Sequence, residues 1–116
     1  MTPETLTALK ASIEHWRQNA EGPIEDASAD PDDCALCDKF LSGETRCLGC
    51  PVSESTGHIL CFKTPYEIAH IKLRRTRDNA SPENEAAFRA AARAELAFLI
   101  SLLPEGENPT HEEAKP

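Results

Sequence analysis

Five cysteines between positions 34 and 61 form the cluster of side chains best suited to chemistry in this chain of 116 residues. Four of them make two CxxC pairs, and the fifth follows further along the chain. Two residues between paired thiolates allow a tight turn to direct both sulfur atoms at one metal ion, and two such pairs fill a tetrahedral site. The sequence therefore predicts a metal site. Its candidate thiolate ligands are Cys34, Cys37, Cys47, Cys50 and Cys61.

The spacing does not decide which four side chains bind the metal. The two CxxC pairs are the simplest set, but Cys61 could replace Cys47 or remain a free buried thiol. His58, three residues before Cys61, is a candidate nitrogen ligand. Zinc is the expected metal, and an iron–sulfur cluster, which also takes four thiolates, is the alternative. The chain lacks the short C-x2-C-x2-C run of bacterial ferredoxins, which favours zinc.

The same residues argue against an enzyme. Four thiolates fill a tetrahedral zinc ion and leave no position for a reactive water molecule. The sequence contains no HExxH, GxSxG or glycine-rich phosphate-binding motif, and no zinc-deaminase pair of motifs. Cys61 with His58 as its base is the one pair that could act as a nucleophile and its activator, and a metal or structural role is favoured for both residues.

Composition indicates why a metal would be needed. Leu, Ile, Val and Phe are scarce for a chain of this length, so apolar burial alone gives a small core, and a structural metal can supply folding energy. Disulfides are the competing explanation. The cysteine count is odd and the start MTPETLTALK has no apolar run of a secretory signal, which predicts a reducing, cytoplasmic compartment. No stretch approaches the roughly 20 apolar residues of a membrane span.

Helices are predicted on both sides of the cysteine segment. Apolar residues recur at helical spacing after Pro3, which predicts a helix over 3–20 with Trp16 in its core stripe and His15 solvated on the opposite face. An acidic linker or strap, 21–33, then leads to the metal segment 34–61. Capping and proline signals predict helices over 65–77 and 82–103, and a flexible tail over 104–116. The predicted fold is a mainly α, small single domain with a Cys-ligated metal knuckle between an N-terminal helix and a C-terminal helical pair.

The helix over 82–103 has two weakly polar faces. Its broad apolar stripe carries Glu95, which is predicted to pair with an arginine of the preceding helix or else to mark a site. The opposite face holds small residues, so either the N-terminal helix or a second copy of the chain is expected to cover it, the latter giving a homodimer. The stripe comprises Phe88, Ala91, Ala92, Leu96, Leu99, Leu102 and Leu103. The small-residue face comprises Ala86, Ala90, Ala94, Ala97 and Ser101.

Part of the chain resembles a group of small uncharacterised bacteriophage and prophage proteins rich in cysteine. The resemblance rests on DCALC, CLGCPV, STG, Cys61 and TPY, with an upstream HWxxN-like element at His15–Asn19, and it covers roughly residues 13–67. It implies that all five cysteines belong to one pattern and that the chain is of phage or bacterial cytoplasmic origin. His58 is not part of the pattern, and the group brings no established activity.

Charge narrows the classes of partner. The net charge is −8, which disfavours a whole-surface attraction to nucleic acid or anionic lipid, while Lys72–Arg77 is locally basic. The positive charges of that helix are expected to interact with acidic residues of its own chain. Contact with phosphate or with an acidic partner is the alternative. The predicted function is a metal-stapled protein-interaction module, such as an adaptor or inhibitor of a host protein. Nucleic-acid binding through Lys72–Arg77 and redox or metal sensing are the competing classes.

Overall fold

The first helix begins at a proline that follows a side-chain cap. In the computed structural model, which describes residues 1–29 and 65–107, helix α1 spans Pro3–Glu21. The hydroxyl of Thr2 accepts a hydrogen bond from the backbone N–H of Thr5 at 3.1 Å. Pro3 has no N–H to satisfy, so the first turn has fewer unpaired donors. The helix runs one residue beyond the predicted 3–20.

Gly22 ends α1 through a close approach of backbone to backbone. Its N–H donates to Gln18 O at 2.7 Å, and a Cβ at this position would lie 2.8 Å from the same oxygen. A side chain would therefore force the chain away from this carbonyl, and glycine is the residue that fits. Beyond it, a single 3₁₀ turn at Ile24–Asp26 lies within the segment that the sequence predicted to be a linker or strap.

Helices α2 and α3 follow the cysteine segment. Helix α2 spans Pro65–Asp78, and α3 spans Pro82–Ser101. The Ser81 hydroxyl accepts from Asn84 N–H at 3.1 Å, as the Ser81–Pro82 pair predicts. Helix α3 ends two residues before the predicted 103 because the N–H groups of Leu102 and Leu103 bond three residues back, to Leu99 O and Ile100 O.

The three helices within residues 1–29 and 65–107 share one core, with α3 packed against both α1 and α2. Trp16 is 3% exposed, which confirms the prediction that it is a core residue. Half of the buried apolar residues are alanines, which bury little surface each. The buried apolar residues are Leu9, Ile13, Trp16, Ala20, Ala27, Ala29, Ala69, Leu73, Phe88, Ala91, Ala92 and Leu99. The described residues thus form a small, mainly helical domain, as predicted; the metal knuckle falls on residues outside them.

The chain after α3 is attached to α1. Residues 104–107, predicted to belong to a flexible tail, form a turn closed by Glu107 N–H donating to Pro104 O at 3.0 Å. The Glu107 carboxylate lies 3.0 Å from Nζ of Lys10, whose side chain is buried. A buried ammonium group is costly without a partner, so this ion pair gives the turn a defined place on α1.

Candidate functional site

The predicted metal ligands lie outside the described residues. Cys34, Cys37, Cys47, Cys50, Cys61 and His58 all fall within 30–64, whereas the structure describes the chain up to Ala29 and again from Pro65. In 1–29 and 65–107 there is no group of three or more His, Cys, Asp or Glu side chains arranged to hold a metal ion. The geometry that bears on the site is therefore that of the two ends of 30–64, at Ala29 and at the start of α2.

Those two points are in direct contact. The hydroxyl of Tyr66, in the first turn of α2, donates a hydrogen bond to the carbonyl oxygen of Ala29. The Tyr66 ring also meets Trp16 of α1 edge-on, with ring centroids 6.1 Å apart and an angle of 86° between planes. Such T-shaped pairs are favourable because a ring edge meets the electron-rich face of its neighbour. The described residues on either side of 30–64 thus meet at one place on the helical domain.

The residues that lead into the cysteine segment are fastened to α1. We call Gly22–Ala29 the strap. Asn19 donates through Nδ2 to Ser28 O at 2.8 Å and accepts from Ser28 N–H at 3.1 Å, so its amide pairs with the strap backbone in both directions. His15 Nε2 donates to the same Ser28 oxygen at 2.8 Å, and its ring lies edge-on to Trp16 at 5.9 Å between centroids.

The prediction that His15 is merely solvated is therefore wrong. The side chain is half-buried and bound to the strap. Periodicity placed it correctly off the apolar stripe, but the strap folds back over that side of α1. The i, i+4 spacing of His15 and Asn19 was a usable signal, because it puts two polar side chains beside Trp16 on adjacent turns.

Two arginines bind the strap through its carbonyl oxygens. Arg89 of α3 donates to Ala20 O at 2.9 Å and to Gly22 O at 2.8 Å, which satisfies carbonyl groups at the C-terminal end of α1. Arg77 of α2 donates to Ala27 O at 2.6 Å. Sequence reasoning did not find these contacts, since every residue type has a backbone carbonyl that can accept a hydrogen bond. The strap is consequently held by all three helices.

Along the sequence, the first and last cysteines are the same number of residues from the contact between Ala29 and Tyr66. Cys34 follows Ala29 by five residues, and Cys61 precedes Tyr66 by five. Ala29 and Tyr66, the two described residues from which these intervals are counted, are in contact.

The side of α2 that faces away from the core carries exposed apolar and basic side chains. Ile68 and Ile71 are 55% and 44% exposed. Lys72, Arg74 and Arg75 form no ion pair with any residue in the described ranges 1–29 and 65–107. A cleft of about 390 Å³ lies beside them at the strap end; it is lined by Ala29, His70, Leu73, Arg74, Arg77 and Asp78. The cationic helix of the sequence prediction is therefore present, and three of its charges are not neutralised by described carboxylates.

The two faces of α3 differ from expectation in one respect. The apolar stripe is confirmed: Phe88, Ala92 and Leu99 are fully or almost fully buried. The alternative in which α1 covers the small-residue face is wrong, because Ala86, Ala90, Ala94, Ala97 and Ser101 are all exposed. Helix α1 packs instead on the stripe that contains Phe88 and Leu99. The larger side chains of that stripe bury more apolar area than alanines do.

Glu95 lies in the stripe, as predicted, and is 3% exposed. The expected ion pair with an arginine of the preceding helix does not occur among the described residues. Arg77 binds Ala27 O instead, and Arg74 and Arg75 project away from the core and are exposed. The Glu95 side chain interacts with another group. Register explains the difference, since Arg74 and Arg75 lie about 100° and 200° around α2 from the buried Leu73, on the exposed part of the helix.

No protein family, no curated protein and no solved structure matches the chain. Among the described residues, no helix combines the length and the apolar character required to cross a bilayer.

Proposed function

We propose that this protein is a small zinc-binding interaction module of phage or bacterial type, in which the metal is structural. Cys34, Cys37, Cys47, Cys50 and Cys61 supply the thiolate ligands, and four of them close a tetrahedral site. The three helices carry this metal segment as an insertion and present it, with their own outer faces, to a protein partner. The cytoplasm is the compartment in which such thiolates stay reduced.

The observation that supports the proposal is the contact between Tyr66 and Ala29. Binding of one metal ion by residues 34–61 closes a long loop, which costs conformational entropy. This cost grows with the logarithm of loop length and amounts to about 3 kcal/mol for a segment of this size. The helical domain holds the ends of the segment together, so the cost is shared between metal binding and helix packing. Metal binding and folding are then coupled.

The composition of the core favours a structural role for the metal. Six of the twelve buried apolar residues described are alanines, so the helices gain less from burial than a leucine-rich core would provide. Structural zinc contributes apparent binding energies on the order of 10 kcal/mol, which become folding energy when the unfolded chain has no site. A closed thiolate site also leaves no coordination position for substrate, and we therefore propose no enzymatic activity.

Metal analysis of freshly purified protein is the direct test. We expect about one zinc per chain and a colourless preparation. Cys37→Ser, or treatment with a strong chelator, should abolish or sharply lower the thermal unfolding transition, and added zinc should restore it after chelation. Ala97→Ser, on the exposed face of α3, is the control and should keep both metal and transition.

Two results would contradict this proposal. Metal-free protein that keeps its unfolding temperature would remove the structural role. A brown preparation that absorbs near 400 nm and contains iron and sulfide would replace zinc by a cluster, and with it favour the redox or metal-sensing function.

Nucleic-acid binding is the second candidate, and the exposed Arg74 and Arg75 without ion pairs in the described residues favour it. Phosphate contacts release counterions, so a binder of this kind would lose affinity steeply as salt rises. The net charge of −8 opposes it. We expect no binding to generic duplex or single-stranded DNA tighter than about 10 µM at physiological salt, weaker than specific affinities. Tight, salt-sensitive binding that an Arg74→Ala/Arg75→Ala variant loses would establish this alternative.

A further inference from the structure

The outer face of α2 combines exposed apolar side chains with positive charge. We name Ile68, Ile71, Arg74 and Arg75 the isoleucine–arginine face. Positions 68, 71 and 75 recur at three- and four-residue spacing, and Arg74 is one turn from Ile71, so the four side chains lie together on the helix surface. Ile68 and Ile71 are the most exposed large apolar residues described apart from Met1 at the chain start.

The position of this face on α2 is set by the core. Ala69, Leu73 and Thr76 are buried against the other helices, and this register directs Ile68 and Ile71 outward. Two adjacent isoleucines on a solvent-facing helix contribute little to folding, whereas they can contribute to binding by leaving water. Packing among residues 1–29 and 65–107 therefore does not account for the two isoleucines.

The charges on the face indicate the chemistry of its partner. Arg74 and Arg75 are exposed and have no ion pair to the described residues, in a chain whose net charge is −8. Elsewhere in those residues, Arg17 pairs with Glu14 and Arg89 with Glu85, within their own helices. Arginine is well suited to carboxylates because its planar guanidinium group can donate two parallel hydrogen bonds.

We infer that the isoleucine–arginine face is a docking surface for an acidic peptide segment of a partner protein that also carries apolar side chains. This inference rests on the proposed interaction function and specifies its surface and partner chemistry. A second copy docking by the same face would set arginines against arginines across a two-fold axis. A nucleic acid would use the arginines but would leave the isoleucines without a role, since phosphates offer no apolar contact.

The test is a selection from a random dodecapeptide display library on the full-length, zinc-loaded protein. Enriched peptides should carry Asp or Glu beside large apolar residues. The best peptide is then synthesised with a fluorescent label, and its affinity is measured by anisotropy for each variant. Ile68→Ser/Ile71→Ser and Arg74→Gln/Arg75→Gln should each weaken binding about tenfold or more, which corresponds to about 1.4 kcal/mol.

Two controls match these variants. Arg93→Gln removes an exposed arginine of α3, and Ala94→Ser/Ala97→Ser changes the exposed small-residue face; both should leave the affinity unchanged. Circular dichroism and the unfolding temperature of every variant show whether the helices are intact. Raising the salt concentration should weaken peptide binding to the wild type and have less effect on the Arg74→Gln/Arg75→Gln variant.

Several outcomes would overturn the inference, and they differ in what they leave standing. Peptides whose binding survives Ile68→Ser/Ile71→Ser but is lost in Ala94→Ser/Ala97→Ser would move the interaction to α3 and leave the proposed function intact. A library that yields no enriched peptide would overturn the inference and leave the proposed function to its own test by metal analysis and unfolding. Peptide binding that appears only in an Asp30→Asn/Asp32→Asn/Asp33→Asn variant would show that the chain's own acidic run, which follows Ala29, occupies the face.

Discussion

The two sides of helix α2 have similar residue types but opposite surroundings. The inner side, with Tyr66, Leu73 and Arg77, contacts the core or the strap. On the outer side, Ile71 and Arg75 are exposed, and Arg75 forms no ion pair with the described residues. Arg77 and Arg75 are chemically identical and two residues apart, yet one reaches a carbonyl oxygen of the strap and the other does not. Position around the helix, and not residue type, therefore separates structural side chains from those available to a partner.

The largest effect on stability is expected from replacing one apolar residue on the inner side of α2, compared with one on its outer side. Leu73→Ala should lower the free energy of unfolding by about 2–5 kcal/mol, because Leu73 is 2% exposed and its loss leaves a cavity. Ile71→Ala should change it by no more than about 0.5 kcal/mol, since the side chain is already 44% exposed. Denaturant unfolding of the protein as purified measures both. Equal losses would mean that the outer side is packed in the folded protein.

Tyr66→Phe tests the contact that joins the two ends of the cysteine segment. The ring and its contact with Trp16 remain, but the buried carbonyl of Ala29 loses its donor, which should cost about 1–3 kcal/mol. If the ends of the segment are held there for the metal, zinc affinity measured by chelator competition should fall in the same variant. Asp78→Asn, exposed in the same helix, is the control. Unchanged zinc affinity together with lowered stability would show that the contact of Tyr66 with Ala29 does not contribute to metal binding.

The smallest expected effect distinguishes the two arginines. Arg77→Gln removes the hydrogen bond to Ala27 O and should lower stability by about 1 kcal/mol, since the side chain is partly open to solvent. Arg75→Gln should leave stability within about 0.5 kcal/mol. Thermal unfolding at one salt concentration is enough to compare them. A destabilising Arg75→Gln would indicate that this arginine has a structural partner.

The sequence predicted the elements well where local signals are strong. Proline at the first helical position, a capping hydroxyl and apolar residues at helical spacing located all three helices to within two residues at either end. Trp16 and the Phe88–Leu99 stripe were likewise predicted as core, because periodicity reports which side of a helix is apolar. The spacing of the cysteines gives the candidate metal ligands without deciding which four bind, and they stay a prediction, since 34–61 lies outside the described residues.

Tertiary structure alone decided which elements meet. Periodicity gives a polar face to α1 but cannot show that the strap returns over it, so His15 was misassigned and Asn19 was missed. The sequence placed α1 or a second copy of the chain over the small-residue face of α3, whereas α1 packs on the stripe with larger side chains. The contact of Tyr66 with Ala29 joins residues 37 positions apart in the chain. The sequence locates the helices because caps and helical hydrogen bonds join residues that are close along the chain. The pairing of distant groups depends instead on how the whole core packs.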